Sequence, residues 1–159
     1  MSSVFPPSRT VLYPLTLCNL ENKRVLVVGG GRVGERKARG LLTAGADVQI
    51  ISPEATTQIQ KWAAAGEVTW HPKPFEAGDV AGAFLVFAAT NQRAVNQHIA
   101  QEAQAARILC NIADAPDEGD FYSAAVIRHE DYVIAVNTTK RAPRRAVQLR
   151  NEVAQWLQR

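Results

Sequence analysis

The stretch Arg24 to Leu42, RVLVVGGGRVGERKARGLL, constrains the fold more than any other part of the chain. Val25, Leu26, Val27 and Val28 form an apolar run without polar alternation, the pattern of a parallel strand covered on both faces. Gly29, Gly31 and Gly34 follow in the spacing Gly-x-Gly-x-x-Gly. Val33, Lys37, Leu41 and Ala44 then recur at helical spacing, so the segment reads as strand, tight turn and helix. In a dinucleotide site Gly29 permits the turn, Gly31 lets the backbone approach a pyrophosphate, and Gly34 lets the helix pack close to the strand. The phosphates then meet unpaired N–H groups at the positive end of the helix. The bland alternative is a glycine-rich turn that binds nothing, and the strand-and-helix context argues against it.

The same alternation continues downstream. Val48 to Ile51 reads as a second strand, after a helix end marked by Gly45. Ser52 and Pro53 have the form of an N-cap and first helical residue, with Ile59, Trp62 and Ala63 on the apolar face that follows. Val68 to Trp70, Ala83 to Ala89 and Ile108 to Ile112 read as further strands, with a helix between Asn91 and Ala106. Thr90 has an N-cap reading at the start of that helix. Strand and helix in alternation predict a doubly wound, Rossmann-like parallel sheet, whose ligands sit beyond the C-terminal ends of the strands. Four loops are thus expected at one crevice: the glycine turn, Ser52-Pro53, Thr90-Asn91, and Asn111 to Asp114.

After Pro116 the pattern changes. Phe121 to Ile127 and Tyr132 to Val136 predict an antiparallel hairpin, and Ala142-Pro143 opens a last helix with Val147, Val153, Trp156 and Leu157 as its apolar positions. The fold class is α/β: a Rossmann-like parallel sheet with an appended antiparallel hairpin and C-terminal helix. Residues 1–116 are expected to bind NAD and residues 117–159 to form a dimerisation region, because the hairpin's edges need cover.

Composition excludes several classes. No apolar run approaches a membrane span, and residues 1–10 lack a signal-peptide core, so the expectation is a cytoplasmic protein. Cys18 and Cys110 have no metal-site spacing and read as reduced, buried thiols; the three scattered histidines imply no metal site. Lys140, Arg141, Arg144, Arg145, Arg150 and Arg159 stand against Glu152 alone from Thr138 onward. Such a cluster suits an anionic partner or is a solvated face; nucleic acid is not the expected partner.

Many Rossmann sites carry an acid at the end of the second strand to hold the ribose hydroxyls. Ser52 and Pro53 occupy that place here, leaving ribose to Ser52, Glu54 or the backbone. No arginine follows to favour a 2′-phosphate, which argues for NAD over NADP.

Several motifs together resemble a known family. They are Tyr13-Pro14-Leu15, the stretch VLVVGGGRVGERKARGLLTAGADV, Ala89-Thr90-Asn91, and Cys110-Asn111-Ile112-Ala113-Asp114-Ala115-Pro116, followed by the hairpin and Leu149-Arg150-Asn151-Glu152. This combination is similar to the precorrin-2 dehydrogenase/sirohydrochlorin ferrochelatase family and the matching N-terminal domain of siroheme synthase. It covers the chain from about Leu12 to Glu152. The resemblance implies NAD-dependent oxidation of precorrin-2 to sirohydrochlorin in siroheme biosynthesis, in many members with insertion of Fe2+; the homodimer is expected from the hairpin's open edges. The resemblance implies Asp114 as general acid/base. It also implies cofactor contacts at Gly29, Gly31, Arg32, Val33, Gly34, Ser52, Pro53, Glu54, Thr90 and Asn91. Asn111, Thr138, Lys140 and Arg141 are the candidate substrate contacts. By position alone Asp114 ends the fifth strand at the crevice mouth, where a carboxylate could take a proton; its bland alternative is an acid capping the turn before Pro116, and Asn111 alternatively orders that turn.

The chain departs from the family twice. Between hairpin and helix it has Thr138-Thr139-Lys140-Arg141-Ala142-Pro143 in place of a glycine-rich turn, and it ends at Arg159 where members continue into a helical domain. These departures motivate two alternatives: a non-catalytic module holding a tetrapyrrole or metal, and a nucleotide-sensing regulatory Rossmann domain.

Overall fold

The computed structural model describes residues 12–139 and 142–158. Lys140 and Arg141 lie outside the described residues. The chain divides into two compact units, Leu17–Phe121 and a second comprising the described residues 12–16 and 122–158.

In the first unit, Val25 to Val28 fill strand β1 (Arg24–Gly30) and are 0–2% exposed. Both faces of this strand are covered. Val25 and Val27 pack with Ala38 and Leu41 of helix α1 (Arg32–Thr43) and with Ile59 and Trp62 of helix α2 (Thr57–Ala64). Leu26 and Val28 pack on the other side with Ile99 and Ala103 of helix α3 (Arg93–Ala105). Full burial of each such side chain is worth roughly 1.5–3 kcal/mol, which makes β1 the axis of the core.

Strands β2 (Asp47–Ala55), β3 (Thr69–His71), β4 (Leu85–Ala88) and β5 (Leu109–Ile112) complete a parallel sheet in the order β3-β2-β1-β4-β5. The chain therefore runs outward from β1 in one direction, then returns to β4 and runs outward in the other. At that reversal the connections leaving β1 and β4 diverge and open a crevice at the C-terminal ends of the strands.

Several local expectations are corrected. The buried stripe of α1 is Gly34, Ala38 and Leu41, while Val33 and Ala44 are exposed. The close approach at Gly34 sets the phase: a Cβ there would lie 1.9 Å from the Gly29 carbonyl oxygen. The second strand does not stop at Ile51. It runs on through Ser52, Pro53 and Glu54, and a register shift between Val28 and Gly30 brings Ala55 opposite Gly30. Proline is tolerated at such an irregularity. The N-cap of α2 is accordingly Thr56, whose hydroxyl accepts from Ile59 N–H at 3.3 Å, and not Ser52. Thr90 is likewise not the N-cap of α3, because its hydroxyl accepts from Gln92 N–H in a local turn and the helix starts at Arg93. Cys110 is buried and its thiol is pushed up to about 11, chiefly by that burial, but Cys18 is exposed.

The hairpin is shorter than its pattern suggests: β6 (Ala125–Arg128) pairs antiparallel with β7 (Val133–Val136). Phe121, expected in the first hairpin strand, instead belongs to the sheet's core, its ring edge-on to Phe87 at 5.3 Å. Helix α4 (Pro143–Leu157) starts with Pro143 in its first turn, but of its expected apolar positions Val147 and Trp156 are exposed and Ala146 is the buried residue. Among the described residues no helix is long and apolar enough to cross a membrane.

Candidate functional site

The crevice beyond β1 and β4 is open, with a volume of about 810 Å3. Three of the four expected loops line it: the glycine turn, Ser52 to Thr56, and Ala89 to Gln92. The Asn111 to Asp114 loop does not.

The glycine turn is built by contacts a side chain would destroy. Gly29 has φ +117°, and a Cβ there would fall 2.4 Å from the Ala89 carbonyl oxygen. Gly31 differs: it stands at the N-cap of α1 with ordinary extended backbone, and a Cβ there would meet nothing within 4 Å. No side chain caps this helix. The first-turn N–H groups, open space over Gly31 and the Arg32 cation together make a seat that fits a dinucleotide's phosphates. The one acid of the first turn, Glu35, is already engaged: hydrogen bonds from Thr56 and then Arg39 hold its carboxyl below its ordinary value.

On the ribose side, the extension of β2 changes the picture drawn from sequence. Glu54 is exposed, lines the crevice and lies at the end of the strand, so an acid does stand in that region. Ser52 and Pro53 line the same wall, and the Ser52 carbonyl is held by Trp70 Nε1–H at 3.0 Å.

On the far side of β1, Asp114 follows β5. The short 3-10 turn Pro116–Glu118 has Ala115 at its N-cap, while Asp114 is hydrogen-bonded toward α3. Its Oδ1 accepts from Asn96 Nδ2 at 2.9 Å and lies 3.8 Å from Arg93 Nη1, while Arg93 also pairs with Glu118. Asn111 is 4% exposed and donates from Nδ2 to the Phe121 carbonyl at 2.7 Å. Its Oδ1 is buried without a hydrogen-bond partner among the described residues. Thr138, in the second unit, accepts from Ala142 N–H at 2.8 Å ahead of α4.

One residue escaped the sequence reading, and a second, Lys37, was read only as a helical position. Asn96 is wholly buried and ties Thr90 to Asp114. Its signal was available: with Ile99 and Ala103 it falls on the apolar face of α3, where an amide must find partners. Lys37 packs over the Phe87 ring at 5.5 Å, and burial, with Arg36 nearby, lowers its pKa to about 8.

Relatives of known kind fit this architecture. A family model described as "Putative NAD(P)-binding" matches residues 16–125. "Siroheme synthase 3" of Aeromonas hydrophila is 39% identical over 136 residues, covering 86% of this chain and 29% of that protein. "Siroheme synthase 2" of Yersinia enterocolitica is 39% identical over 140 residues, 88% of this chain and 30% of that protein. The chain thus spans about three tenths of the length of these curated relatives. The solved structure of "SirC, precorrin-2 dehydrogenase" superposes with a TM-score of 0.77 at 26% identity, over 91% of this chain and 70% of that one. With its glycine turn, its sheet order and a match running through the whole first unit, the chain belongs to this NAD(P)-binding family and is similar to siroheme synthases and to a precorrin-2 dehydrogenase.

Proposed function

We propose that this chain is an NAD-dependent dehydrogenase that oxidises precorrin-2 to sirohydrochlorin in siroheme biosynthesis. The observation that carries this reading is the likeness to a precorrin-2 dehydrogenase over nine tenths of the chain, and Asp114 standing beside the cofactor crevice supports it. NAD, when bound, supplies the hydride acceptor. Gly29, Gly31, Arg32 and Val33 seat its phosphates while Gly34 lets α1 pack close behind them, Ser52, Pro53 and Glu54 hold its adenosine ribose, and Thr90 and Asn91 its nicotinamide end. A carboxylate at the end of β2 favours the 2′-hydroxyl of NAD and repels the 2′-phosphate of NADP.

Asp114 takes the proton released as the macrocycle loses hydride. Asn111, Thr138, Lys140 and Arg141 are proposed substrate contacts on the strength of the family resemblance; two cations suit a substrate bearing carboxylates. Fe2+ insertion is a second proposed step, with Asp114 drawing off pyrrole protons. A homodimer is proposed as well, since Val133, Val147, Leu149 and Trp156 expose apolar surface on β7 and α4. Cytoplasmic residence completes the reading and suits unpaired Cys18 and Cys110.

The decisive experiment is an anaerobic assay of NADH formation from precorrin-2, with and without Fe2+. The native chain is expected to turn over and Asp114→Ala to lose more than 100-fold in kcat, within the roughly 10²–10⁴ range of acid–base catalysis. NAD binding without any NADH formation would refute the enzyme reading and favour a tetrapyrrole-binding module.

A further inference from the structure

We propose that Asn96 is a positioning residue that locks the Thr90 loop to Asp114 and selects which carboxylate oxygen takes the proton. This rests on the dehydrogenase reading above and deepens it. Four contacts converge on one buried amide. Asn96 Oδ1 accepts from Thr90 N–H at 3.1 Å and lies 2.7 Å from the Thr90 hydroxyl. Its Nδ2 donates to the Thr90 carbonyl at 3.0 Å and to Asp114 Oδ1 at 2.9 Å.

The amide's orientation follows from the chemistry of its partners. A backbone N–H can only donate, so the atom facing it must be the oxygen, and Nδ2 must then face Asp114 and the Thr90 carbonyl. An amide N–H cannot accept a proton from a carboxyl group. Asp114 Oδ1 is thereby held as an acceptor, and the nearby Arg93 guanidinium, itself paired with Glu118, faces the same oxygen. The described contacts all fall on Oδ1, which leaves Oδ2 for chemistry. In the oxidation a C–H bond of the tetrapyrrole breaks and its electron pair leaves as hydride to NAD+. A second C–H or pyrrole N–H bond of the macrocycle breaks, its electron pair stays in the ring system as the new π bond, and its proton forms an O–H bond at Oδ2 of Asp114.

The same amide fixes distance as well as direction. Thr90 lines the crevice and Asp114 does not, so Asn96 adds a side-chain link between carboxylate and cofactor loop to the backbone bond from Ala113 N–H to the Ala88 carbonyl at 2.9 Å. A misplacement of about 1 Å at such a link is enough to cost on the order of 100-fold in rate.

The test is Asn96→Asp in the full chain. The substitution keeps an oxygen for the Thr90 donors but replaces the N–H facing Asp114 with a second acceptor. The expected result is a fall in kcat of about 30-fold or more, with NAD+ affinity within about threefold of native. Unchanged kcat would overturn the proposal, as would equal losses of kcat and NAD+ affinity tracking a lowered melting temperature, the mark of a scaffold residue. Should that variant fail to fold, the Asn96 side-chain amide can be followed by NMR in native protein and in Asp114→Ala. A downfield, exchange-protected proton lost in Asp114→Ala supports the pairing, and an unmoved resonance overturns it. The two readings fail separately: an active Asp114→Ala sinks the acid–base role itself, whereas an inactive Asp114→Ala with a fully active Asn96→Asp sinks only this one.

Discussion

Two alanine substitutions three residues apart separate the structural from the ligand-binding duties of the glycine turn. At Gly34 the added Cβ would lie 1.9 Å from the Gly29 oxygen and 3.0 Å from its carbon. Both neighbours are backbone, so no flexible side chain can yield, and α1 must move off β1 by roughly 1 Å. Overpacking of this kind costs about 1–3 kcal/mol or more. At a few degrees per kcal/mol for a chain of this size, Gly34→Ala should lower Tm by about 10 °C. At Gly31 the added Cβ meets nothing within 4 Å, and φ −79° with ψ −172° suits any residue. Stability should change by about 1 kcal/mol or less, the scale of an N-cap exchange. Yet the methyl group would occupy the space through which a diphosphate approaches the first-turn N–H groups. Gly31→Ala is therefore expected to lose at least tenfold in NAD+ affinity, about 1.4 kcal/mol, with its melting curve nearly unchanged. Calorimetric melting and NAD+ titration of both variants make the comparison. Native affinity in Gly31→Ala would mean the phosphates do not pass over this residue, and a native Tm in Gly34→Ala would break the steric argument.

Two further predictions follow from the walls of the same unit. Glu54→Gln should weaken NAD+ binding roughly tenfold, the scale of one hydrogen bond to a charged group, and narrow the preference over NADP+, measured by parallel titrations; an unchanged ratio would remove Glu54 from cofactor choice. Lys37, with a folded pKa of about 8 against 10.5 when unfolded, binds fewer protons folded than unfolded between those values, so its contribution should rise in favour of folding from pH 8 to 10.5. Cys110 opposes this, since a thiol at about 11 against 9.0 loses stabilisation as pH rises through that range. The difference between native and Lys37→Met unfolding curves isolates the lysine: Lys37→Met should gain about 1–3 kcal/mol relative to native at pH 7 and less at pH 10, and a pH-independent difference would refute the assignment.

The fold was legible wherever one strong local signal decided it. Val25 to Val28 have no solvent face, and only a strand between two helical layers hides such a run. Boundaries failed where a tertiary contact overrode local propensity. Ser52-Pro53 has the chemistry of a helix start, yet the backbone continues alongside β1 until Thr56 N–H reaches the Gly30 carbonyl at 2.9 Å. That bond depends on where β1 bends, which no window around Ser52 contains. The error propagated: with β2 ended at Ile51 the site seemed to lack its acid, whereas Glu54 lies at the true strand end. Phe121 was misread for a related reason, its hydrophobicity serving Phe87 and the sheet rather than the hairpin beside it in sequence.

The site was legible in its parts and hidden in its connections. Glycine spacing and the Asp114 turn are local patterns, each visible in a few consecutive residues. What relates them is a polar side chain in the first turn of a helix, and a buried amide has no spacing rule to announce its partners. The constraint it obeys is satisfaction: a fully buried Asn96 without acceptors and donors would cost about 1–3 kcal/mol, so its presence on the apolar face of α3 requires polar groups opposite. The elements that can supply them are those at the C-terminal ends of β4 and β5, because α3 leaves the C-terminal end of β4 and Asn96 lies in its first turn, beside the parallel neighbour β5. Thr90 and Asp114 stand there. A buried asparagine in the first turn of the helix that leaves a strand end of a Rossmann sheet therefore points to the loops it must bridge, and here those are the loop at the cofactor and the carboxylate.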